Sequence, residues 1–218
     1  PKIRDLSEAA DDYRRAMARV HRLAANQRSE WQSKLFYKQA LALSLPSRVQ
    51  DPKLALAMCE MADDIHTSHA STATGLQQAL GVLTTPIVTL IAANPNGIIS
   101  HERRDTTTLV DTAEGLRTAL RNYRDAIGAS PHRDQLELCL FAGKVLLDHG
   151  DVTDRFQLSR DIELLLSLCQ LAIEPYQRVA PGEVSQAGEA RVYLRPYYDT
   201  AMRHLIRSKP QDTKRLLQ

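Results

Sequence analysis

The stretch DPKLALAMCEMADDIHTSHASTATGLQQALGVLTTPIVTLIAA (Asp51–Ala93) carries the pattern that decides the fold. It opens with Asp51 and Pro52, an N-cap residue followed by proline at the first helical position, where a missing N–H costs no hydrogen bond. Apolar side chains then recur at alternating steps of four and three residues: Leu54, Met58, Met61, Ile65, Leu76, Leu80, Leu83, Ile87 and Leu90. His69 and Thr72 fill the intervening seam positions. A seam held for roughly five heptads predicts one long helix packed lengthwise on others.

The preceding part of the chain has the same character. Neither proline nor glycine occurs between Lys2 and Leu45, and apolar residues again step by threes and fours. A continuous helix of this length would be a rod of roughly 65 Å, at ~1.5 Å per residue. Together the two stretches predict a seam that faces either the core or a dimer partner. We assign to it Tyr13, Met17, Val20, Trp31, Met58, Met61 and Ile65.

Helical periodicity continues through the rest of the sequence, and sustained period-two alternation is absent from it, so we predict an all-α fold. Three prolines lie inside helical runs and are expected to kink them, because proline removes a hydrogen bond and clashes with the preceding turn. These are Pro86, Pro175 and Pro196. We predict one helical domain over residues 1–207 and a polar, frayed tail over residues 208–218.

Composition limits the possible functions. The 218 residues are 43% hydrophobic and 25% charged with a net charge of +2, which is ordinary for a globular protein and gives no overall field for nucleic acid. Cys59, Cys139 and Cys169 each lie in an apolar helical run without CxxC spacing, which favours a reducing compartment such as the cytoplasm. No apolar run approaches the ~20 residues of a membrane span. Because the chain begins at Pro1, we expect it to be a piece of a longer protein.

The best metal candidate is the group formed by Asp63, His66 and His69, whose spacing of three residues places them along one helical face. A di-iron bundle needs a matching set on other helices, and the sequence has no second copy. A hydrogen-bonded core histidine is the simpler interpretation of His69. We therefore expect neither a metal nor another cofactor. Nucleophile elbows, phosphate loops and dinucleotide motifs are also absent from the sequence, so we do not expect an enzyme.

Arginines form the remaining feature. Arg117, Arg121 and Arg124 share one helical face, with no acidic residue at those positions. A solvated surface and a binding face for lipid headgroups or other phosphates are both compatible with this pattern, the latter at ~1 kcal/mol per basic residue near a membrane. Aromatic residues that could stack on bases are missing from the cluster, which disfavours single-stranded nucleic acid.

Three parts of the chain resemble a BAR domain of the kind found beside PH, ArfGAP or RhoGAP modules. The first is Met61–Ile65 leading into Leu76–Leu80 and Pro86-Ile87, and the second is the basic segment Leu116–Ala126. The third comprises Phe156-Gln157, Leu164–Leu168, Tyr176-Gln177, Gly182 and Leu194–Tyr198, which is similar to the third BAR helix.

The resemblance implies long kinked helices in an antiparallel bundle, completed by homodimerisation into a crescent. Such a dimer would lie peripherally on anionic phospholipid membranes in the cytoplasm and sense or induce curvature. The tip would lie near Ile127–Asp134, and the lipid-facing candidates become Arg117, Arg121, Arg124, Arg133 and Lys144. Two alternatives stay open: a helical scaffold that binds proteins such as a small GTPase without touching lipid, and, less favoured, a helical protein that coats nucleic acid.

Overall fold

The fold is described here from a computed structural model. It describes residues 12, 15, 16, 18–20, 22, 23, 29–45, 50–69, 75–94, 106–126, 133–150, 155–177 and 184–208. The helices with described bounds are α1 (Glu30–Ser44), α2 (Pro52–His69), α3 (Gly75–Ala93), α4 (Thr106–Ala126), α5 (Arg133–His149), α6 (Arg155–Gln177) and α7 (Val184–Ser208). No strand occurs in these ranges. The all-α prediction is therefore confirmed.

Backbone contacts divide the chain into two compact units, Pro1–Pro95 and Asn96–Gln218. The boundary falls in the turn signal Asn94–Gly97, whereas the sequence predicted one domain over residues 1–207. Unit 1 contains α1 to α3 and unit 2 contains α4 to α7. Most of the predicted tail, residues 209–218, lies outside the described residues.

In unit 1, helices α1, α2 and α3 each pack on the other two. Two of them begin at side-chain caps. The Ser29 backbone N–H donates to Oε1 of Gln32 at 2.8 Å ahead of α1. Oδ1 of Asp51 accepts the backbone N–H of Leu54 at 3.0 Å, which confirms Asp51 as the N-cap of α2.

The stretch from Asp51 to Ala93 is a helical hairpin and not one long helix. Thr85 Oγ1 on α3 donates to Oδ2 of Asp63 on α2 at 2.9 Å. These residues are 22 positions apart, which along a continuous helix would separate them by about 33 Å. Gly81 lies so close to His66 that a Cβ built on the glycine would be 2.7 Å from the imidazole. The prediction of one long helix over Asp51–Ala93 is therefore wrong, because the two halves of the apolar seam pack on each other.

The rod predicted from Lys2 to Leu45 is also interrupted. Arg22 and Leu23 lie in a turn, with the Leu23 N–H bonded to the carbonyl of Val20 at 3.0 Å. Ser29, immediately before α1, has an extended backbone with φ −106° and ψ 149°. Helical geometry therefore does not run through this region.

Seam positions fall into three groups. Met58, Met61 and Ile65 are buried in unit 1. Trp31 is 66% exposed, which corrects its assignment to the core. Val20 is half-buried, and Tyr13 and Met17 lie outside the described residues. A role of Trp31 in a dimer stays a prediction.

The three prolines all lie within helices and do not end them at that point. Helix α3 continues through Pro86 to Ala93, and α7 continues through Pro196. Pro175 lies in the last turn of α6. The proposed kinks at these positions stay predictions. None of the described helices is both long enough and apolar enough to cross a membrane.

Unit 2 is built around α5 and α6. Helix α6 packs on α7 and α5, while α5 also contacts α4 and α7. Its core consists mainly of leucines, and the fully buried ones include Leu116, Leu120, Leu140, Leu146, Leu165 and Leu168. Helix α4 also touches α6, and this junction contains the arginines singled out in the sequence.

Candidate anion-binding site

Arg117 is the anchor of the junction between α4 and α6. It is only 4% exposed, and its Nε–H donates to both carboxylate oxygens of Asp161, each at 3.0 Å. Nε2 of Gln157 donates to Oδ1 of the same carboxylate at 2.8 Å. The expectation that Arg117 faces lipid is corrected, because its guanidinium is required inside the protein to pair with a buried carboxylate.

Burial dominates the electrostatics of this pair. It raises the pKa of Asp161, while the positive charge of Arg117 and the hydrogen bond from Gln157 oppose that rise. The nearby charge of Arg121 acts in the same direction as that of Arg117. Glu114 adds a weaker contact to Nη1 of Arg117 at 3.3 Å from the exposed side of α4. The main ionic partner of Asp161 is therefore Arg117.

An open cleft lies beside this anchor, also between α4 and α6. Its volume is about 440 Å³. Arginines reach it from both helices, and the lining residues are Arg121, Arg124, Arg160, Glu163, Leu164 and Ser167. We call this site the basic cleft. Arg121 and Arg124 were selected from the sequence as lipid-facing residues, and the structure places both here.

The arginines of the basic cleft differ in what they contact. Arg124 pairs with the adjacent Asp125 at 2.8 Å, in an exposed position where such a pair contributes little. Within the described residues, no carboxylate lies at ion-pairing distance from Arg121 or Arg160. Glu163 is the single acidic residue of the lining. With Asp125 beside Arg124 included, three guanidinium groups face two carboxylates, which leaves the cleft with a net positive charge.

Lys144, the next predicted lipid contact, belongs to a different network. Its Nζ donates to Oδ2 of Asp148 at 2.6 Å, one turn along α5. Oδ1 of Asp148 lies 3.1 Å from Nε2 of the buried His204 and 3.6 Å from Nη1 of Arg203, both on α7. Although burial raises the pKa of Asp148, the bonds from His204 and Lys144 hold it well below its usual range. Lys144 therefore supports Asp148, the residue that joins α5 to α7, and its assignment as a lipid contact stays a prediction.

The last predicted lipid contact, Arg133, is the first residue of α5, and its side chain lies outside the described residues. Most of the predicted tip, residues 127–132, also lies outside them.

Arg160 and Glu163 are the cleft residues that the sequence analysis did not select. They lie on α6, about 40 positions from Arg121, and no spacing rule links residues on different helices. One local signal was available: Arg160 and Glu163 flank Asp161 and Ile162, which are both buried, so they lie on the exposed side of the same helix.

The three residues weighed in the sequence as metal ligands make contacts with other protein groups. Asp63 accepts hydrogen bonds from Tyr37 at 2.6 Å and Thr85 at 2.9 Å, joining α2 to α1 and α3. The imidazole of His66 meets the ring of Tyr37 edge-on, with centroids 6.3 Å apart. Nδ1 of His69 lies 2.9 Å from the carbonyl oxygen of Ile65. In the described ranges, no three His, Cys, Asp or Glu side chains are grouped so as to hold a metal ion.

Comparison with known proteins leaves the basic cleft as the main guide to function. No protein-family model, curated protein or solved structure matches this chain.

Proposed function

We propose that this chain is a non-enzymatic helical module that associates peripherally with anionic membranes through the basic cleft. The observation that carries the proposal is the convergence of three arginines from two helices on one open cleft. Planar guanidinium groups suit phosphate oxygens, since each can donate two parallel hydrogen bonds. Lipid headgroups present such oxygens in a dense layer at the membrane surface.

The cytoplasmic face of a membrane is the proposed place of action. Cys59, Cys139 and Cys169 are all unpaired and buried. Burial raises the pKa of each thiol to about 12, which keeps it protonated and unreactive. Free thiols of this kind are typical of reducing compartments.

We further propose that the chain forms a crescent-shaped homodimer that senses or induces membrane curvature. This further proposal rests on the resemblance of Leu116–Ala126 and of the α6 and α7 segments to a BAR domain. The hairpin of α2 and α3 weighs against the long inner helix that such a crescent uses. Headgroup binding in the basic cleft does not depend on that helix.

A protein scaffold that binds its partners without lipid is the second candidate function. One observation favours it: α1 exposes Trp31 and Leu35 one turn apart, and the exposed Leu45 follows its last residue, so apolar side chains are available to a protein partner. Nucleic acid is less favoured, because the lining of the basic cleft contains no aromatic side chain.

Vesicle sedimentation of the 218-residue chain tests the proposal. We expect binding to vesicles of phosphatidylcholine mixed with phosphatidylserine, but not to phosphatidylcholine alone. Arg121→Glu with Arg124→Glu should weaken this binding by about thirtyfold or more, at ~1 kcal/mol for each lost positive charge. Circular dichroism should remain unchanged, because neither residue is buried.

The matched control reverses two exposed charges elsewhere, Lys53→Glu with Arg195→Glu, and should retain most of the binding. Equal losses in the two double variants would mean that net charge, and not the cleft, governs association. Absence of sedimentation with the unaltered chain would overturn the membrane proposal and favour the scaffold.

A further inference from the structure

We infer that the basic cleft is a discrete site for one multiply phosphorylated small group, such as a phosphorylated polyol ring. This rests on the proposed function, since it names the chemical group that the same cleft selects. The group could be a lipid headgroup or a free metabolite in solution, and parallel binding to vesicles and to the soluble group separates these sources.

The size of the cleft is the first reason. At about 440 Å³ it falls in the range of small-molecule sites, roughly 300–1,000 Å³. Diffuse attraction to a charged surface needs no concavity, because it depends on charge and distance alone. A single phosphate would use one or two guanidinium groups and leave the remainder of the cleft to water.

The arrangement of charge is the second reason. Arg121 and Arg124 are one turn apart on α4, and Arg160 faces the same cleft from α6. Each guanidinium can hold a separate phosphate in a bidentate manner. Arg121 and Arg160 lack ion pairs within the described residues, so no internal carboxylate has to be displaced from them. Three guanidinium groups on two sides of a cleft suit a ligand that carries phosphates on more than one side.

The buried anchor supplies the rigidity that such a site needs. Arg117 and Asp161 lie one turn or less from Arg121 and Arg160 along their respective helices. Their pair, with both Nε–O distances at 3.0 Å, fixes α4 against α6. The cleft arginines are thus carried on a preformed junction, which lowers the entropy lost on binding.

Glu163 gives the site selectivity. Its carboxylate offsets part of the attraction from the three arginines, so an anion that contacts a single guanidinium gains little in the cleft. A multiply phosphorylated group can overcome this effect by contacting all three arginines. Replacing Glu163 by glutamine should therefore tighten binding, whereas loss of an arginine should weaken it.

Isothermal titration of the full chain with inositol trisphosphate, pyrophosphate and inorganic phosphate at equal ionic strength tests the inference. We expect one inositol trisphosphate per chain, bound at least tenfold more tightly than inorganic phosphate. Arg160→Gln should weaken this binding about tenfold and Glu163→Gln should strengthen it severalfold. Because the two substitutions should change the affinity in opposite directions at neighbouring exposed positions, the result distinguishes a binding site from a general loss of folding.

A vesicle arm identifies the source of the group. Preference for vesicles containing bisphosphorylated inositol lipid over phosphatidylserine vesicles of equal total charge would support a headgroup. Saturable binding of inositol trisphosphate without that preference would support a soluble ligand. Equal vesicle binding without saturable binding in solution would overturn the inference and leave the proposed function intact. Absence of binding in both arms would overturn both.

Discussion

Asp63 in unit 1 and Asp161 in unit 2 both join neighbouring helices, but different groups satisfy them. Asp63 accepts hydrogen bonds from the hydroxyls of Tyr37 and Thr85, so its junction contains neutral donors. Asp161 accepts from the Arg117 guanidinium and from Gln157. Neither donor of the hydroxyl junction carries a charge. The arginine junction instead lies beside further arginines on the same two helices, and that surplus charge forms the basic cleft.

The largest difference between the junctions should appear when one partner is removed. Arg117→Met leaves the buried Asp161 unpaired and should lower the free energy of unfolding by about 3–5 kcal/mol. Urea unfolding measures this loss. The double variant Arg117→Met with Asp161→Leu should recover most of it, since neither charge then remains buried. A loss below about 1 kcal/mol in the single variant would contradict a buried ion pair.

A second charged junction in unit 2 should be sensitive to acid. The pKa of Asp148 is lowered in the folded state, so its contribution to stability is present above the ordinary carboxyl value of 3.8 and is lost as pH falls through the folded value. Asp148→Asn should cost about 2 kcal/mol near neutral pH. The difference between the two proteins should shrink as the pH falls below about 4.

Thermal unfolding across this pH range measures the Asp148 effect. Asp199→Asn is the matched control, because Asp199 is exposed and lies 3.7 Å from Arg195. It should leave the pH profile unaltered. A pH-independent effect of Asp148→Asn would argue against a charged network around His204.

The hydroxyl junction of unit 1 should be weaker. Tyr37→Phe removes one donor from Asp63 but leaves Thr85 in place, so we expect a loss of about 1–1.5 kcal/mol. Urea unfolding gives the value. Tyr123→Phe is the control, since the Tyr123 hydroxyl makes no hydrogen bond with another described residue. A loss as large as that of Arg117→Met would remove the contrast between the two junctions.

The smallest effects should have opposite signs. Gly81→Ala places a methyl group 2.7 Å from the His66 ring, and should cost about 1 kcal/mol after the gain in helix propensity. Gly115→Ala meets nothing within 4 Å and should stabilise α4 by about 0.5–1 kcal/mol. Melting temperatures measure both changes. Stabilisation by Gly81→Ala would argue against the close approach of α2 and α3.

Helical periodicity predicted the fold class and two residues of the cleft. Arg121 and Arg124 share a helical face, and spacing along one helix is what periodicity reports. It also selected Arg117, which belongs to the same row but turns out to be buried. Its partner Asp161 lies 44 residues away on another helix, so only tertiary packing distinguishes an anchor from a surface arginine.

The hairpin at Asp51–Ala93 escaped prediction for a related reason. Steps of three and four residues continue through His69 and Thr72, so the apolar pattern does not distinguish one long helix from two helices packed on each other. The low helix propensity of the Ser- and Thr-rich segment was the available signal. The hydrogen bond from Thr85 to Asp63 distinguishes the two arrangements. Such a contact joins residues on two different helices, so local spacing along the sequence does not predict it.

Sedimentation of Arg160→Glu with phosphatidylserine-containing vesicles tests the central claim most directly, because sequence periodicity does not select this residue and the cleft geometry does. Arg195→Glu on α7, an exposed arginine outside the cleft, carries the same change in net charge. We predict that Arg160→Glu weakens binding about fivefold or more, at ~1 kcal/mol for the lost positive charge, while Arg195→Glu has little effect. Equal binding of both variants would contradict a basic cleft as the site of anion recognition.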